Sequence, residues 1–142
     1  MVMDPHKIRE LVLLLLYSFD MGNGEKDELI DLLKEECKVS RTFVEAALLR
    51  AQTIVQFLEK IDELLEKVSH SYSIERLQSV ERNILRLGIF ELIIEKEIPP
   101  KVALAEAKRL AKKFSTDEAA FFVQTLLIAL CNLSSIEIGV SS

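Results

Sequence analysis

Residues 40–68 read SRTFVEAALLRAQTIVQFLEKIDELLEKV. Phe43, Ala47, Leu48, Ala51, Ile54, Val55, Leu58, Ile61, Leu65 and Val68 recur at steps of three and four. That interval stacks side chains on one face of an α-helix, whereas a strand would need alternation. Ser40 stands where an N-cap hydroxyl can accept from a free amide of the first turn. The pattern leaves open one continuous helix or a break near residues 50–53.

The same periodicity extends in both directions. Upstream, Asp4-Pro5 is an N-cap followed by a residue suited to the first helical position. A helix from there runs to Phe19 or Asp20 and stops at Met21-Gly22-Asn23-Gly24. Its stretch from Leu11 to Tyr17 is apolar nearly all round, so it is expected to be buried on several sides. A short helix covers about Glu25 to Cys37. Downstream, His70-Ser71-Tyr72-Ser73 reads as a connection, and a helix opens at Ser73 or Ile74. That helix spans Leu77 to Ile94 with Gly88 inside it, where glycine costs about 1 kcal/mol against alanine. Close approach of a neighbouring helix would account for it. Ile98-Pro99-Pro100 ends the segment, Lys101 to Phe114 forms the next helix, and Ser115-Thr116-Asp117 caps a last one through about Leu133. The tail from Ile136 to Ser142 reads as frayed.

The expectation is therefore an all-α chain of about six to seven helices. It is divided into an N-terminal subdomain, 1–70, and a C-terminal one, 71–142. Composition agrees. Hydrophobic residues make up 49% of 142 residues, with four glycines and three prolines. This supplies a core and leaves few turn formers for a strand-rich fold. No apolar run approaches the roughly 20 residues that span a bilayer, so no membrane role is expected. Cys37 and Cys131 show no paired spacing, which fits a reduced, cytoplasmic setting.

Catalysis needs converging groups, and the motifs for it are missing. His6 and His70 are the two histidines, and neither has a metal-ligand spacing. There is no phosphate loop and no nucleophile elbow. Neither an enzyme nor a cofactor or metal site is expected.

The formal net charge is −5. A protein that binds nucleic acid through charge alone is usually basic, so any RNA contact here requires a local basic patch or a partner's charge. Two basic clusters exist. His6, Lys7 and Arg9 crowd the start of the first helix, where the helix dipole mildly disfavours cations. Lys101, Lys108 and Lys112 share one face of the fifth segment, with Arg109 and Lys113 on a neighbouring one; a solvated helix face accounts for these. Phe121 and Phe122 are adjacent and diverge by about 100° around a helix, so one ring can remain outside the core.

The stretch 75–92, ERLQSVERNILRLGIFEL, resembles the NusB family through its V-E-R-x-I-L-R-L-G-x-x-E-L core. Ile98-Pro99-Pro100-Lys101-Val102-Ala103 resembles the family's I-P-x-K-V-A. Leu110-Ala111-Lys112-Lys113-Phe114, Phe122-Val123, Arg9-Glu10 and Leu16-Tyr17 match further positions. The chain departs from the pattern at His6 and Lys7, where arginines are common, and at Ala105, Ser115 and Gln124-Thr125. The resemblance implies two small helical bundles packed together. It also implies an RNA-binding transcription antitermination factor that pairs with NusE, a small-subunit ribosomal protein, on boxA RNA of ribosomal RNA operons within an RNA polymerase antitermination complex. On that footing Lys7, Arg9, Tyr17, Glu81 and Arg86 are expected to bind RNA. For Arg86 the alternative is an ion pair between the two halves. Glu118, Phe121 and Phe122 are expected to dock NusE. The rival classes are a helical protein–protein scaffold and a stand-alone NusB-like module without an RNA role.

Overall fold

The structure, a computed structural model, describes residues 4–22, 25–69 and 77–136. The connection at 70–73, the helix start at Ser73 or Ile74, Glu75-Arg76 of the motif and the tail from 137 lie outside them, as do Asn23 and Gly24. The described residues form α1 (Pro5–Asp20), α2 (Lys26–Cys37), α3 (Arg41–Gln56), α4 (Leu58–Val68), α5 (Ser79–Ile89), a π-helical segment (Phe90–Glu95), α6 (Pro100–Phe114) and α7 (Asp117–Leu133).

The helix boundaries follow from the chain's own capping groups. The Asp4 carboxylate accepts from the amide of His6 at 3.0 Å, with Pro5 next to it at the start of α1. The hydroxyl of Ser40 accepts from the amide of Phe43 at 3.1 Å and starts α3. Thr116 accepts from the amide of Ala119 at 3.0 Å and starts α7.

The chain forms two compact units, Met1–Gln56 and Phe57–Ser142. In the first, α3 packs on both α1 and α2. Leu11, Val12, Leu13, Leu15 and Leu16 of α1 are buried, on more than one side as the apolar run predicts. Val44, Ala47, Leu48, Ala51 and Ile54 of α3 are buried too; two alanines in that row let a neighbouring backbone come close. On the surface, Arg41 reaches Asp27, Asp31 and Glu45 at 3.4–3.7 Å. Such exposed pairs add little stability.

In the second unit α6 and α7 pack together, α5 lies against both, and α4 lies against α5 and α7. The core is built from Ile61, Leu65, Ile84, Leu85, Leu87, Leu104, Leu110, Val123, Leu127 and Leu130. Gly88 of α5 faces Leu127 of α7, the close helix approach expected from a glycine inside a helix.

Three features differ from the sequence-based expectation. The break in the 40–68 pattern falls at Phe57, not near 50–53; Phe57 leaves helical geometry at φ −106°, ψ 10°. Its ring lies 6.0 Å from that of Phe90, a tilted aromatic contact. Consequently α4 belongs to the second unit, whereas a division near residue 70 groups it with the first. Finally, the helix expected through Ile94 is α-helical only to Ile89. It widens into the π-helical segment and ends where Lys96 turns left-handed at φ 60°. Hydrophobic periodicity does not distinguish i→i+4 from i→i+5 winding over so short a stretch.

Candidate functional site

The expected site residues fall into three groups. On α1, Lys7 is exposed, Tyr17 half-buried and Arg9 buried at 8% exposure. Arg9 is engaged within the protein. Lys7 is thus the accessible cation of the pair. Tyr17 lies ten residues on, about 15 Å along the axis, so Lys7 and Tyr17 can meet one RNA strand only at separate nucleotides.

Arg86 of α5 has its guanidinium filled by protein groups. Nε donates to Oδ1 of Asp62 at 3.0 Å and Nη2 to Oδ2 at 2.9 Å. Nη1 donates to Oδ1 of Asn83 at 3.2 Å. Asn83 is buried and donates in turn to the Ser79 carbonyl at 2.8 Å. A bidentate arginine–carboxylate pair is strong and directional. With the Arg86 side chain only 11% exposed, this ties α5 to α4. The ion-pair alternative is what the geometry displays, although both partners lie within the second unit.

The third group converges. Glu81 of α5, Glu118 and Phe122 of α7, Leu77, Gln78, Ser115, Thr116 and Ala119 line an open recess of about 450 Å³. Glu81, expected among the RNA contacts, therefore shares a site with two residues expected to dock a protein. The recess sits at the α7 N-terminus, where Asp117 and Glu118 occupy the first turn and the helix dipole favours acids. Half-buried Phe122, with Leu77 and Ala119, gives it apolar lining. Phe121 points elsewhere and is 74% exposed. An acidic rim over an aromatic surface suits a basic protein segment better than a phosphate backbone.

Positions that depart from the family pattern are accommodated locally. Ser115 has φ −139°, which needs no glycine. Thr125 is exposed, and its hydroxyl donates back to the carbonyl of Phe121 at 2.8 Å. Val123, Leu126 and Leu127 around it are buried.

The NusB family model matches residues 6–130. The chain belongs to the NusB family. Among relatives, the transcription antitermination protein NusB of a Nitratiruptor species is 38% identical over 125 residues, covering 88% of this chain and 89% of the relative. That of Chlamydia pneumoniae is 36% identical over 121 residues, covering 85% and 76%. Among solved structures, the solution structure of NusB from Aquifex aeolicus superposes with a TM-score of 0.75 at 33% identity, covering 97% of each chain. A crystal structure of the antitermination factors NusB and NusE in complex with double-stranded RNA contains a chain that superposes with a TM-score of 0.76 at 33% identity, covering 90% of this chain and 96% of that one.

The NusB motif residues serve several ends here. Gly88 gives close packing, Arg86 an ion pair, and Glu81 and Phe122 the recess. Sequence alone did not foresee that Glu81, Glu118 and Phe122 meet. Gly88 carried the signal, because a helix approaching it closely had to lie beside α5. Asp62 was missed as the partner of Arg86, since one carboxylate on an acidic helix looks like its neighbours. Among the described residues no helix is long and apolar enough to cross a membrane.

Proposed function

We propose that this chain is an RNA-binding transcription antitermination factor that works as a pair with NusE on the boxA element of ribosomal RNA transcripts in the cytoplasm. The observation that carries this reading is its likeness, over nine-tenths of its length, to a structure of NusB and NusE with RNA. Within the pair, Lys7 and Tyr17 contact RNA, Lys7 through phosphate and Tyr17 by stacking on a base. The recess of Glu81, Glu118 and Phe122, with exposed Phe121 beside it in sequence, receives NusE. This division of labour answers the charge problem. A chain of net charge −5 offers acids to a basic ribosomal protein, and the partner's cations then add to Lys7 on the RNA.

The test is a gel-shift titration with purified NusE and an RNA carrying boxA. A ternary band that forms with boxA RNA and is weaker with a scrambled sequence is expected. If NusE is captured but RNA is bound at no concentration, the chain is a protein–protein scaffold and the reading fails; if neither is captured, it fails outright.

A further inference from the structure

Among the described helices α6 is distinctive in charge. It carries Lys101, Lys108, Arg109, Lys112 and Lys113 against a single acid, Glu106. By contrast α2 has five acids and two lysines, α4 four acids and two lysines, and α7 two acids and no cation. Glu106 is buried and satisfied by its own neighbour. Arg109 donates to it through Nε at 2.9 Å and Nη2 at 3.3 Å. That pair neutralises itself and leaves no other acid on α6 to offset Lys101, Lys108 and Lys112. Steps of seven and four residues put Lys101, Lys108 and Lys112 within about 40° of one another around the axis, over about 16 Å of its length. Lys101 and Lys112 are exposed and Lys108 half-buried. Among the described residues none of the three makes an ion pair or side-chain hydrogen bond. Ala105, exposed between them, puts no bulk in the way.

The helix dipole accounts for Lys112, which lies in the last turn, but it opposes Lys101 in the first. Solubility does not require the strip either, since the chain already has 23 acids. We infer that the Lys101–Lys108–Lys112 face of α6 is a second RNA contact, one that binds the phosphate backbone flanking the boxA element without reading its sequence. Lysines suit this work, being flexible point charges that follow a backbone and do not distinguish bases. A nucleic-acid strand presents one negative charge per about 3.4 Å, so a strip of this length faces several phosphates at once. The strip ends three residues before Ser115, at the acidic recess. RNA held along α6 would therefore run up to the bound protein partner.

This inference rests on the RNA-binding reading above, and the experiment separates the two. The pair with NusE is titrated with an RNA extending beyond boxA on both sides, at several salt concentrations. Three forms are compared: wild type, Lys101→Ala/Lys108→Ala/Lys112→Ala, and the same three positions changed to Arg. Loss of three phosphate contacts should lower the slope of log K against log salt by about 2, at roughly 0.7 per single-strand contact. It should weaken binding on the order of tenfold or more at low salt and leave the preference for boxA over scrambled RNA and the capture of NusE unchanged. The arginine form should keep the wild-type slope. A triple-alanine form with wild-type slope and affinity overturns the strip alone, as does an arginine form that behaves like the alanine form. A wild-type pair that binds no RNA overturns the RNA-binding reading itself and the strip with it.

Discussion

Gly88 meets Leu127 so closely that a Cβ added to the glycine would lie 2.8 Å from Cδ1 of the leucine. Two effects of alanine at this position oppose each other. Helix propensity favours it by about 1 kcal/mol. Overpacking a filled core costs about 1–3 kcal/mol, and Leu127 is buried at 1% exposure. Gly88→Ala should therefore destabilise by about 0–2 kcal/mol, the difference between the two effects. In a Leu127→Ala background the same change should be neutral or stabilising. Urea midpoints of the four proteins close this double-mutant cycle; a higher midpoint for the single Gly88→Ala variant would show that α5 and α7 are further apart.

Removing Arg86 takes away two hydrogen bonds to the Asp62 carboxylate and one to the Asn83 carbonyl oxygen. Arg86→Ala should cost about 1.5–3 kcal/mol, the usual range for hydrogen bonds to charged groups. RNA affinity per folded molecule should stay intact. Thermal melts paired with gel shifts below the transition separate the roles. Lost RNA binding at an unchanged Tm would return Arg86 to the RNA face.

Lys7 and Arg9 should part company on substitution. Lys7 is exposed, so Lys7→Ala should leave the Tm alone and reduce the salt slope of RNA binding by about 0.7. Arg9 is buried and engaged, so Arg9→Ala should lower the Tm as well. Tyr17→Ala should weaken binding by about 1–3 kcal/mol, the contribution of stacking on one base. Full affinity in the Lys7→Ala, Tyr17→Ala double variant, with NusE present, would remove α1 from the RNA contact.

On α7, Glu118 and Phe121 are both exposed, so their substitution should spare the fold. Glu118→Lys should weaken NusE capture through charge repulsion, and Phe121→Ala through loss of an aromatic anchor. Phe122→Ala should also cost stability, because its ring is half-buried. A pull-down read beside the melts decides, and unchanged capture by Glu118→Lys would place the partner elsewhere.

Burial pushes the Cys131 thiol above its ordinary range. The raised folded-state value means that any contribution to stability is present below the unfolded thiol's pKa of about 8.5. It is lost as pH rises through the folded value, since the unfolded chain ionises first. Stability should thus decline on the alkaline side, and Cys131→Ala should flatten that decline. At neutral pH a thiol reagent should modify half-buried Cys37 first and reach Cys131 only on unfolding.

The helices were legible because their signals are local. Asp4, Ser40 and Thr116 each cap within three residues, and apolar steps of three and four marked the buried faces. The all-α class and the family followed from that and from the 75–92 motif. What was not legible depends on distant residues. The break at Phe57 coincides with a ring contact to Phe90, distant in sequence. The engagement of Arg86 needs Asp62, 24 positions away. The meeting of Glu81 with Glu118 needs α5 and α7 side by side. A charged residue's sequence neighbours do not tell whether it is paired, and Arg9 and Lys7, two positions apart, lie one inside and one outside.

The π-helical segment bears on how this chain is compared with its relatives. Winding from Phe90 to Glu95 follows i→i+5, so one residue more is taken up than an α-turn would use. Phe90, Glu91 and Leu92 are all buried, continuing a buried run that begins at Leu87 in α5. A relative that winds the same stretch as ordinary α-helix would be one residue shorter there and yet superpose on both sides. A single-position gap between 90 and 95 in an alignment therefore marks a change of helical pitch, and forcing it shut would put every later residue out of register by one.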